Sequence, residues 1–204
     1  MCTFALQNLT SMKKIALFAA VEEEVLSIKE KVHMTGIGRE SATEAMLQFM
    51  QQHQDEDFTI MNIGTAGAHS VPVGSLIRVT EVVSGGAQFL NRPMFTDRLP
   101  IKTPEAIDGK LFSSDCFVSP RVYSADFLQH LKETADCFDM ESSSLFSIAH
   151  HYRRPYISFK IVSDHLDVDL ATWQQRVHDY SGKLCNFVLK TLDEMGKIEP
   201  VEII

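Results

Sequence analysis

The sequence predicts an α/β domain with helices on both faces of a central sheet. Three observations support this. Apolar or β-branched runs of strand length alternate with amphipathic stretches of helix length. With 204 residues, 45% hydrophobic and 23% charged, the chain can bury one sizeable core. No internal repeat or low-complexity linker divides it, so residues 12–204 are expected to form a single domain. Residues 1–11 are expected to be a disordered extension, because "MKKIALFAA" from Met12 makes a natural first strand.

The elements follow in order. "KKIALFAAV" is a buried strand, and "EEEVLSIKEKV" is expected to continue as a helix, with Glu22, Glu23 and Glu24 suiting its positive N-terminal end. "VHMTGIG" is a short strand ending in a glycine turn. "RESATEAMLQFMQQH" is an amphipathic helix, since Ala42, Ala45, Met46, Phe49 and Met50 fall near one face. "FTIMNI" is the next buried strand, with "GTAGAHS" expected as the turn after it, and "SLIRVTEVV" is a β-branched strand. From Ser84 to Gly109 the pattern weakens into loop with one short strand. "KLFSSDCFV" is expected to be a strand and "SADFLQHLKET" a helix capped by Ser124. "DCFDM" is a strand, "ESSSLFSIAHHY" a helix and "PYISFKIVS" a strand. "TWQQRVHDYSGKLCNFVLKTLDEM" is expected to close the chain as one long helix.

Composition excludes several classes. The formal net charge is −8, and no basic patch suited to a phosphate backbone is visible, so no nucleic acid partner is expected. Four cysteines occur without a CxxC spacing, which suggests neither zinc nor a redox pair and fits a reducing cytoplasm. No apolar run approaches membrane-spanning length, and the first residues lack a signal-peptide pattern, so no membrane partner is expected. His150 and His151 are adjacent on a helix and point to different faces, and HExxH is absent, so no metal is expected.

In open α/β sheets ligands gather outside the carboxyl ends of the strands. Here those ends carry Glu22–Glu24, "TGIG", "GTAG", Phe117–Val118, Asp139-Met140-Glu141 and "SDH" from Ser163 to His165. Each has a plain structural reading as well. The glutamates complement a helix dipole, the glycines make tight turns, and Asp139 or Asp164 caps a helix or loop.

Taken together and in order, these segments resemble the nucleoside phosphorylase and nucleosidase family, and most closely its methylthioadenosine/S-adenosylhomocysteine nucleosidase branch. The resemblance runs from Met12 to about Met195. It is carried by "KKIALFAAVEEEV", "TGIGRESA", "NIGTAGAHSVPVGSLIRVTEVV", "SSDCFV" and "FDMESSSLFSIAHHYRRPYISFKIVSDHLD". It implies a three-layer α/β/α fold of the phosphorylase/hydrolase-like kind, with a mixed, mostly parallel central sheet.

It also implies roles. Met140 and Glu141 lie along a ribose, with Glu141 accepting from the vicinal diol, which one ionised carboxylate can do. Asp164, oriented by Ser163, is the general acid toward the leaving purine, on condition that its pKa is raised well above an ordinary aspartate's. Phe117 stacks on the base and the Val118 backbone reads its edge. Glu24 activates the attacking water, with Thr65 and Gly67 of the glycine motif beside it.

A phosphorylase would need arginines for phosphate. This chain has Asn62 where those branches carry one, and three acids after the first strand. Hydrolysis is therefore the expected reaction, with no cofactor. Phosphorolysis by a purine nucleoside phosphorylase is the alternative, and a nucleoside-binding protein with weak turnover is a third reading. Two departures stand out. The family's hairpin-like insertion before "TGIG" is missing, which makes this a shortened member, and Lys160 replaces an arginine. The 5′ substituent and the base, including 6-oxo purines and futalosine-type nucleosides, stay open. A homodimer or higher homo-oligomer is implied, with Phe89, Met94 and Phe95 as candidate contacts.

Overall fold

The computed structural model describes residues 13–85 and 94–204. The expected extension at 1–11 and the candidate contact Phe89 lie outside them. The strands are β1 Lys13–Ala19, β2 His33–Met34, β3 Phe58–Ala68, β4 Leu76–Ser84, β5 Met94–Phe95, β6 Ala106–Ser113, β7 Cys137–Asp139, β8 Tyr156–Asp164 and β9 Val201–Ile203. The α-helices are α1 Arg39–Gln52, α2 Ala125–Thr134, α3 Ser142–His151, α4 Leu170–Arg176 and α5 His178–Gly196.

The sheet is mixed and closes on itself. β3 pairs parallel with β8 and antiparallel with β7. β8 pairs antiparallel with β4, β4 parallel with β6, and β6 parallel with β7. These five strands form a barrel-like ring, which a description as three layers does not capture. β1 extends the sheet from β3, and its far edge takes β9 at one end and β2 at the other. Residues of β1 alternate between two cores, as a strand covered on both faces must. Ile15, Leu17 and Ala19 pack with Leu184, Val188 and Leu192 of α5, while Ala16 and Phe18 pack with Met46 and Phe49 of α1 and Leu145 of α3.

Four expectations are corrected. Residues 22–32 are not a helix but two 3-10 turns, Glu22–Glu24 and Lys29–Lys31. The reason is tertiary: Glu24 is turned into the protein, and the Leu26 N–H donates to Ser181 Oγ of α5 at 2.8 Å. "GTAG" is not a turn, because β3 runs straight through it. A Cβ on Gly64 would lie 3.0 Å from the Glu24 carboxylate, and one on Gly67 would lie 2.7 Å from Leu166 Cδ2. These glycines serve close approach by side chains crossing the strand. The strand expected over 110–118 is β6, which starts at Ala106 and ends at Ser113, leaving Phe117 and Val118 in the loop beyond it. The terminal helix divides at Val177 into α4 and α5, although Val177 keeps helical dihedrals. β9 had no counterpart in the sequence pattern. Ser124 does cap α2, accepting from the Phe127 N–H at 3.3 Å.

Candidate active site

The ring and its surrounding loops enclose one cavity lined by all nine residues singled out in the sequence: Glu24, Thr65, Gly67, Phe117, Val118, Met140, Glu141, Ser163 and Asp164. They arrive from five separate parts of the chain. Thr65 and Gly67 lie within β3 rather than after it. Met140 and Glu141 follow β7, and Ser163 and Asp164 end β8.

Local irregularity aims Asp164. Along β3–β8, Ala66 pairs with Val162 and Gly67 with Asp164, so Ser163 is an extra residue. Such a bulge redirects the side chains beside it. Asp164 Oδ2 accepts from Ser163 Oγ at 2.7 Å and Oδ1 from the Leu166 N–H at 2.9 Å. Leu166 itself sits in the left-handed region at φ 65°, a conformation sparsely used by branched residues and held here by that bond. Burial pushes the Asp164 carboxyl above the usual aspartate range, against the lowering effect of the two hydrogen bonds.

Glu24 also lines the cavity and is 3% exposed. Its Oε1 accepts from the Thr65 N–H at 2.6 Å and from Thr65 Oγ1 at 2.8 Å, and its Oε2 from the Ala20 N–H at 3.1 Å. Thr65 Oγ1 in turn accepts from the Trp173 indole N–H at 3.0 Å. Burial raises the Glu24 pKa, opposed by Lys160 and by these donors.

Glu141 opens α3. The Gly38 N–H of the "TGIG" segment donates to its Oε1 at 2.7 Å, which joins that loop to the site. Its pKa is raised, first by burial and then by the charge of Asp139. Asp139 is not the N-cap expected of it, a position Glu141 takes; from two residues earlier its carboxylate accepts from the Ser142 N–H at 3.2 Å and Ser142 Oγ at 2.5 Å and so supports the helix start. It also forms a 3.0 Å ion pair with Lys160, both side chains being almost fully buried. Burial alone would lower the Lys160 pKa, but Asp139, Tyr156, Glu141 and Glu24 together hold it above the ordinary lysine value. The Asn62 amide is occupied, donating to Ser142 Oγ and Tyr156 Oη at 2.9 Å each.

Phe117, Val118, Phe138 and Leu166 give the cavity an apolar side, and Ser114 Oγ braces the loop by donating to the Cys116 carbonyl at 2.5 Å. A flat heteroaromatic group suits such a wall. Among the described residues lining the cavity there are four acids, Glu24, Asp139, Glu141 and Asp164, and no lysine or arginine. No group of three or more His, Cys, Asp or Glu among the described residues is placed to hold a metal ion, and no described helix is long and apolar enough to cross a membrane.

Sequence reasoning missed Trp173 as a site residue and the Lys160–Asp139 pair as a unit. The first left a signal, being the single tryptophan of the chain only nine positions after Asp164. The second had none, because a charged residue inside an apolar strand does not name its partner.

Residues 96–193 match the family model of the phosphorylase superfamily. That stretch includes Phe117, Val118, Met140, Glu141, Ser163 and Asp164 but neither Glu24 nor Thr65. No curated protein sequence matches the chain. Solved structures do resemble it. A 5′-methylthioadenosine/S-adenosylhomocysteine nucleosidase from Colwellia psychrerythraea, in complex with adenine, superposes with a TM-score of 0.76 at 15% identity, covering 96% of this chain and 99% of that one. Futalosine hydrolase from Helicobacter pylori gives a TM-score of 0.73 at 15% identity over 90% of this chain and 100% of that one. A putative nucleosidase of the first kind from Francisella philomiragia gives 0.73 at 20% identity over 89% and 99%. Residues 96–193 thus carry the sequence pattern of the phosphorylase superfamily, and the chain as a whole has the fold seen in these nucleosidases.

Proposed function

We propose that the protein is a nucleosidase that hydrolyses the N-glycosidic bond of a purine nucleoside, such as methylthioadenosine, S-adenosylhomocysteine or a similar substrate. The observation that carries this is the charge of the cavity. Four carboxylates and no cation line it among the described residues, and Asn62, where a phosphorylase would carry an arginine, is turned away to Ser142 and Tyr156. A phosphate would be repelled there, whereas water and a cationic ribosyl centre are favoured.

The geometry supports the following roles. The purine lies between Phe117, Val118 and Leu166, and protonated Asp164 donates its proton to N7. The C1′–N9 bond then breaks with its electron pair leaving on the base. The positive charge left on the ribosyl ring is stabilised by Glu141, which accepts from the 2′ and 3′ hydroxyls beside Met140. Water adds to C1′ and gives its proton to Glu24. Burial raises the Asp164 pKa above an ordinary aspartate's, which is the direction its part requires. The nucleosidases of similar fold named above, one with adenine bound, support the choice of reaction and base.

We further place the protein in a reducing cytoplasm, where the free thiols of Cys116, Cys137 and Cys185 persist, and as a homodimer or higher homo-oligomer, for which the exposed Phe95 offers a contact. Base release from a panel of nucleosides, followed with and without phosphate, tests the activity. Release without phosphate is the expected result, and strict dependence on phosphate would overturn hydrolysis in favour of phosphorolysis.

A further inference from the structure

Trp173 sits on α4, and its indole N–H donates to Thr65, 108 positions earlier in the chain. The helix that carries it is anchored. Asp169 caps α4 by accepting from the Thr172 N–H at 2.8 Å, and Arg121, in the loop that follows Val118, pairs with the same carboxylate. The indole is buried and its N–H can only donate. A threonine hydroxyl has one proton and two lone pairs. Accepting from Trp173 fixes one lone pair, and the hydroxyl proton is then directed at Glu24 Oε1, 2.8 Å away. With the Thr65 N–H on the same oxygen, Oε1 is saturated by donors. Oε2, holding only the Ala20 N–H, keeps capacity to accept.

We propose that Trp173 is a positioning residue that acts through Thr65 on Glu24. Its indole N–H locks the polarity of the Thr65 hydroxyl, so Oε1 is held as an acceptor and Oε2 is the oxygen that meets water. This rests on the nucleosidase reading for its catalytic meaning, but the relay itself does not. Without Trp173 the hydroxyl is free to turn and accept from a protonated Glu24, which favours the neutral acid. The other charged groups facing Glu24 are Lys160 from β8, which favours its ionised form, and Glu141 at the start of α3, which opposes it. From α5, Tyr180 and Cys185 share the apolar cluster of Val25 beside it.

The experiment uses the fact that Trp173 is the single tryptophan. Its emission in the substrate-free protein is followed as pH is lowered from neutrality, in the wild type, Glu24→Gln, Thr65→Val and Thr65→Ser. The expected result is a transition in the wild type that is absent in Glu24→Gln, lost in Thr65→Val and retained in Thr65→Ser. In parallel, Trp173→Phe keeps a ring but no donor. It should move the acid limb of kcat/KM upward by about 0.4–1 pH unit, the equivalent of one hydrogen bond, with the plateau changed far less.

An emission profile identical in all four proteins would overturn the relay. So would an unmoved acid limb in an active Trp173→Phe. If the wild type releases no base from any nucleoside, the nucleosidase reading fails. The emission profiles still decide the relay, because they need no substrate.

Discussion

Lys160→Met tests whether the acids around the cavity depend on Lys160, the one buried lysine or arginine among the described residues. The Lys160 and Asp139 side chains are 3% and 2% exposed and their charged atoms are 3.0 Å apart. At an effective dielectric of about 20 their attraction is about 5–6 kcal/mol, comparable with the cost of burying them. The intact pair therefore adds little net stability, but removing one partner leaves the other charge uncompensated, at a cost of about 3–5 kcal/mol. Methionine fills a similar volume without the charge, so cavity formation is not the cause. For a chain of this size that loss corresponds to a melting temperature lower by about 6–20 °C.

The pH dependence carries the stronger test. In the wild type the contribution of Lys160 is fully present below its ordinary value and is lost only as pH rises through its raised folded value, so it is constant across the neutral range. In the variant, Glu141 loses the nearby cation that opposes the effect of its burial, and the native form holds a proton that the unfolded chain has released. Stability then falls as pH rises, and the deficit should shrink as pH is lowered toward about 5. Urea unfolding of both proteins at neutral and mildly acidic pH reads this directly. Adding Asp139→Asn to Lys160→Met should restore part of the loss. A deficit of the same size at both pH values, or no deficit, would refute the reasoning.

The remaining predictions concern turnover. Asp164→Asn should lower kcat by about 10²–10⁴-fold on purine nucleosides with KM little changed, as steady-state base release would show. Glu141 has a raised pKa, chiefly through burial, and the diol donates to its ionised form, so KM should rise as pH falls through that value. Glu141→Gln should have a higher KM that no longer varies with pH in this range. Gly67→Ala places a methyl 2.7 Å from Leu166 Cδ2 and 3.0 Å from Asp164 Oδ1. Moving that acid should cost about 10- to 100-fold in kcat, and the overpacking about 1–3 kcal/mol on urea unfolding.

Much of the fold was legible because its strands are continuous apolar runs and its helices α1 and α2 carry a stripe and a cap. What failed did so for local reasons. Residues 22–32 have helix-forming composition, but Val25 and Ile28, the buried pair, are three apart and serve 3-10 turns, while Glu24 is drawn inward by Thr65 and Ala20. The glycines of "GTAG" signal a turn only if nothing crosses the strand. Glu24 and Asp164 lean against Gly64 and Gly67, so the absent side chains mark contacts instead. β9 is three residues long and owes its place to parallel pairing with β1, which no local pattern could announce.

The site was legible at its strand ends and opaque in its pairings. A residue after a strand can be named from sequence, but its partner is chosen by the closed ring. Asp139 shows the difference. Its carboxylate serves the first N–H of α3 from two residues before the Glu141 N-cap, so it supports the helix start without being the expected cap. The same carboxylate also faces Lys160 across from β8, and this second contact explains how a lysine can lie inside an apolar strand. A buried lysine paired with the one carboxylate of Asp139 leaves the other three acids with less compensation than a bidentate arginine would give. Glu24, Glu141 and Asp164 are then all pushed toward holding protons, chiefly by burial. For Asp164 that favours donation to a leaving base. For Glu24 it works against accepting a proton from water, and the donors at Thr65 and Ala20, ordered in part by Trp173, are what oppose it.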